Sequence, residues 1–460
     1  MKKTPACIIA FLLFTALVLA ETPAPDSGAM LNIKGVTIVL GGFVEGAGIY
    51  RSANTNSDIG TPFGRIPLGN SAGFYQNETE FSARRSRLSL RASGDYDPDT
   101  HLSGYYEMDF LGAAATANSN ESNSYNPRIR HLFAALDWDK LGLHLLAGQT
   151  WSLATPNNNA SVTNPLPTGL NLLIDNACVV GATWAWQPQF RVVKNFGKAL
   201  SLAVSTENPQ TTVASQPNSV PINYANSQGP GSNFAVALSV NALPDFVGKI
   251  ALDPGWGHFE VLDLVRNFKS NLKTSTGSLT DTGITTDAVG GGVILPVVPG
   301  MFSLVASGLF GSGIGRYGSA LLPDVTQNKQ GIDLPLTGSQ ILTGINVTPT
   351  PALALYAFYG QEQLNRLSFT NAAGDTGYGY GSDLYNNSGA DSLGGTVNGN
   401  IRKISEVTAG GWWKFYQGKM GRMQLGVQYG HVENFYFNVI KGGAPTAIEN
   451  MVFVSVRYYW

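Results

Sequence analysis

The sequence predicts an all-β chain, a transmembrane antiparallel β-barrel of sixteen strands with short periplasmic turns and long extracellular loops. Three observations carry that prediction. Charged residues make up only 13% of the 460, against a typical ~25%, although the hydrophobic fraction of 43% is ordinary. Gly occurs 54 times, which suits the bends and crowded strand contacts of a barrel. The clearest alternation in the chain has period two, so its units are strands. A large soluble protein covers itself with charge, whereas a membrane barrel presents an apolar flank to lipid.

Residues 1–20 read as a secretory signal peptide: Lys2 and Lys3, an apolar run from Ala6, and Val18-Leu19-Ala20 before the polar Glu21. A spanning helix would need roughly 20 apolar residues, more than this run supplies. Loss of the two lysines takes the formal net charge from −2 to −4, and no electrostatic footprint for nucleic acid results. The mature chain keeps one cysteine, Cys178, so it can form neither an intramolecular disulfide nor a cysteine-based zinc site. Residues 21–33 form a short periplasmic leader, and the barrel occupies 34–460.

Val36 to Tyr50 is the first strand, and Arg51 to Glu80 is a long polar connection. Ser82 to Gly112 is a hairpin about Asp97-Pro98-Asp99. Arg85, Arg87, Ser89 and Arg91 share one face and Leu88, Leu90 and Ala92 the other; beyond the turn Tyr105, Glu107 and Asp109 alternate with Tyr106, Met108 and Phe110. Closing on Pro98 sets Arg87 against Asp109, Ser89 against Glu107, Arg91 against Tyr105, Leu88 against Met108 and Leu90 against Tyr106. A slip by one residue would turn every arginine to the apolar side.

Arg128 to Trp138 has mixed parity that a bulge would resolve. Leu143 to Trp151 follows, then a connection at 152–183 whose only charge is Asp175. Strands Trp184 to Lys194 and Ala199 to Glu207 come next. Asn233 to Asp253 counts as one strand, either throughout or with its first half folded into the preceding loop, His258 to Phe268 as another, and Ser270 to Asp287 as polar connection. Ala288 to Gly315 carries no formal charge, but Pro296 and Pro299-Gly300 divide it into pieces near the 9 to 11 residues of a tilted membrane strand, about half of a spanning helix. Gln340 to Val347 and Leu353 to Gly360 repeat that hairpin. After a Gly, Asn and Ser loop come Ile404 to Tyr416, Arg422 to His431, and Met451 to Trp460, where Val452, Val454, Val456, Tyr458 and Trp460 are apolar at every second position. Trp138, Trp184, Trp186, Trp256, Trp412, Trp413, Tyr458 and Trp460 lie near strand ends, where aromatic girdles form.

The stretches Ser82-Ala83-Arg84-Arg85-Ser86-Arg87-Leu88, Tyr105-Tyr106-Glu107-Met108-Asp109-Phe110, Pro127-Arg128-Ile129-Arg130-His131, Ala147-Gly148-Gln149-Thr150-Trp151 and Asp253-Pro254-Gly255-Trp256-Gly257-His258, in this order, resemble Gram-negative outer-membrane porins, most of all the DcaP type. The resemblance implies a homotrimer of water-filled barrels in the cell outer membrane, in contact with lipid and lipopolysaccharide. It also implies a third long loop, here 152–183, folded inward to narrow the pore, and carboxylates or dicarboxylates as solutes.

The residues themselves argue for anions. Arg85, Arg87 and Arg91 rise about 6.8 Å per two residues, and an arginine facing lipid at midplane would cost ~2 to 4 kcal/mol; inside a lumen they form an anion-attracting ladder. Glu107 and Asp109 could instead neutralise them in a structural network. Tyr105, Glu107, Asp109, Gln149, Asp175, Arg191 and Arg457 complete the pore-lining candidates, with Gln189 and Glu207 behind them. Gly311-Ser312-Gly313-Ile314-Gly315 lacks the following helix of a phosphate loop. His131, His144 and His258 have no partner at metal-ligand spacing, so neither an enzyme nor a cofactor is expected. A sugar-selective porin and a non-conducting, barrel-anchored adhesin or structural protein are the competing functions.

Overall fold

The computed structural model describes residues 30–460 apart from 70, 113–125, 158–169, 171, 176–178, 215–241, 274–278, 370–377, 383–386, 389–395, 398–399 and 438–445. The signal peptide at 1–20, most of the leader and Cys178 lie outside the described residues.

Sixteen strands close into a ring. In chain order they are β1 Val36–Arg51, β2 Arg87–Asp97, β3 Thr100–Asp109, β4 Arg128–Trp138, β5 Leu143–Trp151, β6 Trp186–Phe196, β7 Leu200–Glu207 and β8 Asp245–Leu252. The second half comprises β9 His258–Lys273, β10 Leu279–Val298, β11 Phe302–Ser312, β12 Thr337–Thr350, β13 Leu353–Leu364, β14 Ile401–Gly418, β15 Gly421–Tyr436 and β16 Thr446–Tyr459. Each pairs antiparallel with its sequence neighbours, and β1 pairs with β16 to leave no edge. Connections of a few residues at one end, such as 98–99, 299–301 and 351–352, alternate with longer ones at the other.

The pleat decides what faces where. On β16, Val452, Val454, Val456, Tyr458 and Trp460 are exposed on the outer flank, while Met451, Phe453, Ser455 and Arg457 are buried inside. Phe190, Val204, Ile250, Val261 and Val289 extend the apolar flank around the ring. No described helix is long and apolar enough to cross a membrane; the strands do so, because a closed ring pairs every backbone group within itself.

The hairpin β2–β3 has the predicted register: Leu88 faces Met108, Ser89 faces Glu107, Leu90 faces Tyr106 and Arg91 faces Tyr105. The mixed parity of β4 is resolved by a register shift, since Glu107 pairs with His131 but Met108 with Ile129. The extra residue is Arg130, and the bulge lets both Arg130 and His131 be buried. Pro296 and Pro349 also sit where registers shift, between Leu295 and Val298 and between Val347 and Thr350, where a missing N–H costs the ladder least.

Several boundaries differ from expectation, and one open choice, at 233–253, is settled for the shorter strand. The run entered at Ser82 is broken: Glu78–Ser82 and β2 both pair with β1, and 83–86 bulge out of the ladder between them. The eighth strand begins at Asp245, and the earlier part of 233–253 lies mostly outside the described residues. The polar stretch 270–287 is largely strand, because β9 and β10 pair from His258 as far as Lys273 with Leu279; backbone pairing continues beyond the apolar flank whatever the side chains. Finally, the leader ends in a strand, Met30–Ile33, folded back on the start of β1.

Candidate functional site

The bulge at 83–86 removes Arg85 from the strand that was expected to carry it. Its guanidinium is buried, lies 3.7 Å from Glu45 of β1 and donates to the carbonyl of Ile174. Ser86 Oγ accepts from Glu45 N–H at 2.9 Å, which ties the bulge to the wall. Ring closure brings Arg457 of β16 to Glu45 at 3.0 Å, and Ser455 also donates to that carboxylate. Arg457 further stacks on Phe43 and Trp412 at 4.7 and 4.5 Å.

One strand further, Arg87 meets Glu107 at 3.4 Å, and Asp109 pairs with Arg128 at 2.7 Å and Arg130 at 3.1 Å. The expected Arg87–Asp109 pair is therefore corrected: the bulge in β4 delivers two arginines to Asp109 and moves Arg87 onto the diagonal carboxylate. Arg130 also reaches Glu107 at 2.6 Å and lies 4.3 Å over the Trp186 ring. Tyr105 donates to Glu107 at 3.0 Å, and Arg91 covers the Tyr105 ring at 5.5 Å.

Leu170, Leu173, Ile174, Val179, Val180 and Ala182 of the connection 152–185 pack in one buried cluster with inward wall residues such as Phe358, Ile404 and Phe453, while Leu153, Ala154 and Ala185 at its ends pack in a second with Leu146 and Tyr317. Ile174 N–H donates to Gln428 Oε1 at 2.9 Å, Val180 N–H to Glu406 at 2.9 Å and Gly181 N–H to Glu362 at 3.0 Å. Trp412 Nε1–H donates to Leu172 O at 2.7 Å, and Thr61 Oγ1 donates to Asp175 at 2.7 Å. Two glycines permit the approach. A Cβ on Gly360 of β13 would lie 1.6 Å from the Val180 carbonyl, and one on Gly181, whose φ is +85°, would lie 2.0 Å from that of Ile341.

A cavity of about 410 Å³ lies between this connection and the arginines. Six cationic side chains line it, Arg85, Arg87, Arg130, Lys414, Arg422 and Arg457, against two carboxylates, Glu107 and Asp175. Arg85 Nη1 and Arg422 Nε are buried there without a hydrogen-bond partner. Arg91 and Tyr105 do not line the cavity: Arg91 is exposed towards the short turn. Asp109, 1% exposed, is held behind Arg128 and Arg130.

Gln149 points the other way. It pairs with Leu132 on the outward side and donates to Ile129 O at 3.0 Å, because it shares the outward parity of Leu145 and Ala147 on β5 while Leu146 and Thr150 face inward. Arg191 belongs to a separate buried network with Gln189 at 2.9 Å and the Trp151 carbonyl at 2.6 Å. Glu207 accepts from Leu153 N–H at 2.8 Å. Trp184, Trp186 and Trp412 do not form a girdle. Trp184 and Trp186 stack with Trp151, at ring separations of 4.2 and 4.9 Å from it, and Trp412 lines the cavity, whereas Trp256, Trp413, Tyr458 and Trp460 are exposed outside. Three cations of the lining, Arg130, Lys414 and Arg422, are not singled out by the sequence; only the awkward parity of β4 signals the first. Among the described residues no group of three or more His, Cys, Asp or Glu could hold a metal ion.

A closed ring of sixteen strands with charge inside and lipid-facing side chains outside matches solved structures over most of its length. The outer membrane channel DcaP of Acinetobacter baumannii superposes with a TM-score of 0.64 at 20% identity, covering 94% of this chain and 100% of that one. The fold is that of a porin. Salmonella typhi OmpF, solved in complex with daunomycin, gives a TM-score of 0.52 at 10% identity over 94% of this chain and 100% of its own. No family model matches the chain, and no curated protein does.

Proposed function

We propose that this protein is an outer-membrane porin through which small hydrophilic solutes diffuse passively, with a preference for anions, small carboxylates among them. The observation that carries the reading is the excess of six cationic side chains over two carboxylates around one lumen cavity. A guanidinium offers five donors and a carboxylate two oxygens, so even paired arginines keep N–H groups free for a passing anion. Low-dielectric walls focus that positive field along the lumen. In this reading the connection 152–183 is the constriction, and the barrels assemble as a homotrimer in contact with outer-membrane lipid and lipopolysaccharide.

The test is the reversal potential of the purified protein in a planar bilayer under a KCl gradient. Wild type is expected to be anion-selective, and Arg87→Ala to move the potential towards zero. An unchanged potential in the variant would remove Arg87 from the selectivity site, and absence of any conductance would favour a barrel-anchored structural or adhesion protein. Trp151 and Trp184 on the same cavity favour a second reading, a sugar-selective channel; block of the ion current by oligosaccharides would support it.

A further inference from the structure

The two sides of the cavity differ in kind. The wall supplies its cations, Arg87, Arg422 and Arg457 from strands and Arg85 from the bulge at 83–86, whereas the connection between β5 and β6, with the strand end beside it, supplies Trp151, Leu170, Leu172, Leu173 and Trp184. Two backbone polar groups on this second side are occupied: the Leu172 carbonyl accepts from Trp412 Nε1–H, and the Trp184 N–H donates to the Tyr317 carbonyl at 2.7 Å. What this side chiefly offers a solute is aliphatic surface and the tilted ring pair of Trp151 and Trp184, 4.2 Å between centroids at 52°. The one charge there, Asp175, is negative and held by Thr61.

A small hydrated anion gains from the arginines but sheds water against a wall that returns no hydrogen bond. A solute with one carboxylate and a flat apolar body meets both sides, its charge on the guanidinium donors and its ring against Trp184 and the leucines. A second carboxylate at the far end of the solute would instead meet apolar surface and the like charge of Asp175. Arg85, Arg87 and Arg422 on the cavity lining supply guanidinium donors for the single carboxylate. The volume of about 410 Å³ falls within the roughly 300–1,000 Å³ of small-molecule sites.

We infer that this cavity is a binding site for aromatic monocarboxylates, formed by arginines of the wall facing the tryptophan and leucine side of the 152–185 connection. The inference deepens the anion-conducting reading and rests on it.

Benzoate and succinate are the probes, added to the reconstituted wild-type channel while KCl current is recorded. Benzoate is expected to halve the current at a concentration about fivefold below that needed with succinate, the scale of one aromatic contact. Trp184→Leu and Leu173→Asn are each expected to shrink that ratio towards one. Equal block by both acids in an anion-selective channel, or a ratio unchanged in both variants, would overturn the binding site and leave the porin reading standing. A reversal potential showing no anion preference would overturn both.

Discussion

Two arcs of the same inner wall carry buried charge and use it differently. On β1 to β4 and β16, carboxylates meet guanidiniums: Glu45 with Arg85 and Arg457, Glu107 with Arg87 and Arg130, Asp109 with Arg128 and Arg130. On β13 and β14, Glu362 and Glu406 meet backbone amides instead. Glu362 accepts from Gly181 N–H, Ala320 N–H and Ser319 Oγ, at 3.0, 2.9 and 3.2 Å, and Glu406 accepts from Val180 N–H. In the first arc donors outnumber acceptors, so cationic surface is left over for the cavity. In the second the carboxylates are taken up by the connections they hold. An inward charge on a barrel strand is therefore no measure of pore charge until its partner is known.

The comparison is broken most severely at Glu362. Glu362→Ala strands the Gly181 and Ala320 N–H donors, each costing about 1–3 kcal/mol when buried unpaired, while Ser319 keeps the Val179 carbonyl. Urea-gradient unfolding from lipid vesicles is expected to show the largest loss here, together with a higher single-channel conductance as 179–181 and 319–320 come away from the wall. Next comes Gly360→Val, whose side chain collides with the Val180 carbonyl; overpacking of this kind costs about 1–3 kcal/mol. If both variants unfold and conduct like wild type, the second arc does not anchor the connection.

Arg130→Gln tests the first arc with a smaller expected effect. It removes one guanidinium partner from Glu107 and one from Asp109 while Arg87 and Arg128 keep the others and the Gln amide still donates to one carboxylate, so the loss is expected at about 1.5 kcal/mol, the lower end for one bond to a charged group, with a weaker anion preference. Gln149→Ala is expected to change neither unfolding nor reversal potential by a measurable amount, because the side chain lies on the outward flank. A change in selectivity there would mean that β5 is out of register.

Legibility followed the range of the interaction. The register of the β2–β3 hairpin from Leu88 to Asp95 is legible, because its two strands are joined by a turn of two residues, Pro98 and Asp99, and one slip would reverse every side chain. The awkward arginines of β4 announced a bulge. Arg85 was placed on the right side for the wrong reason: it looks like the next rung of a ladder, yet it leaves the strand at 83–86. Trp184, Trp186 and Trp412 looked like girdle residues, since position near a strand end cannot tell an outward ring from one turned inward where β6 meets its long connection.

By itself the sequence determined a strand architecture, its apolar flank and the inward side of most strands, since the two-residue repeat of a pleated backbone fixes in and out locally. Only the tertiary structure decided which inward residues meet. Glu45 and Arg457 stand 412 positions apart and touch because the ring closes, and Glu362 is spent on backbone amides because a connection lies against it. Such partners are set by closure and docking over long chain separations, which no local period records.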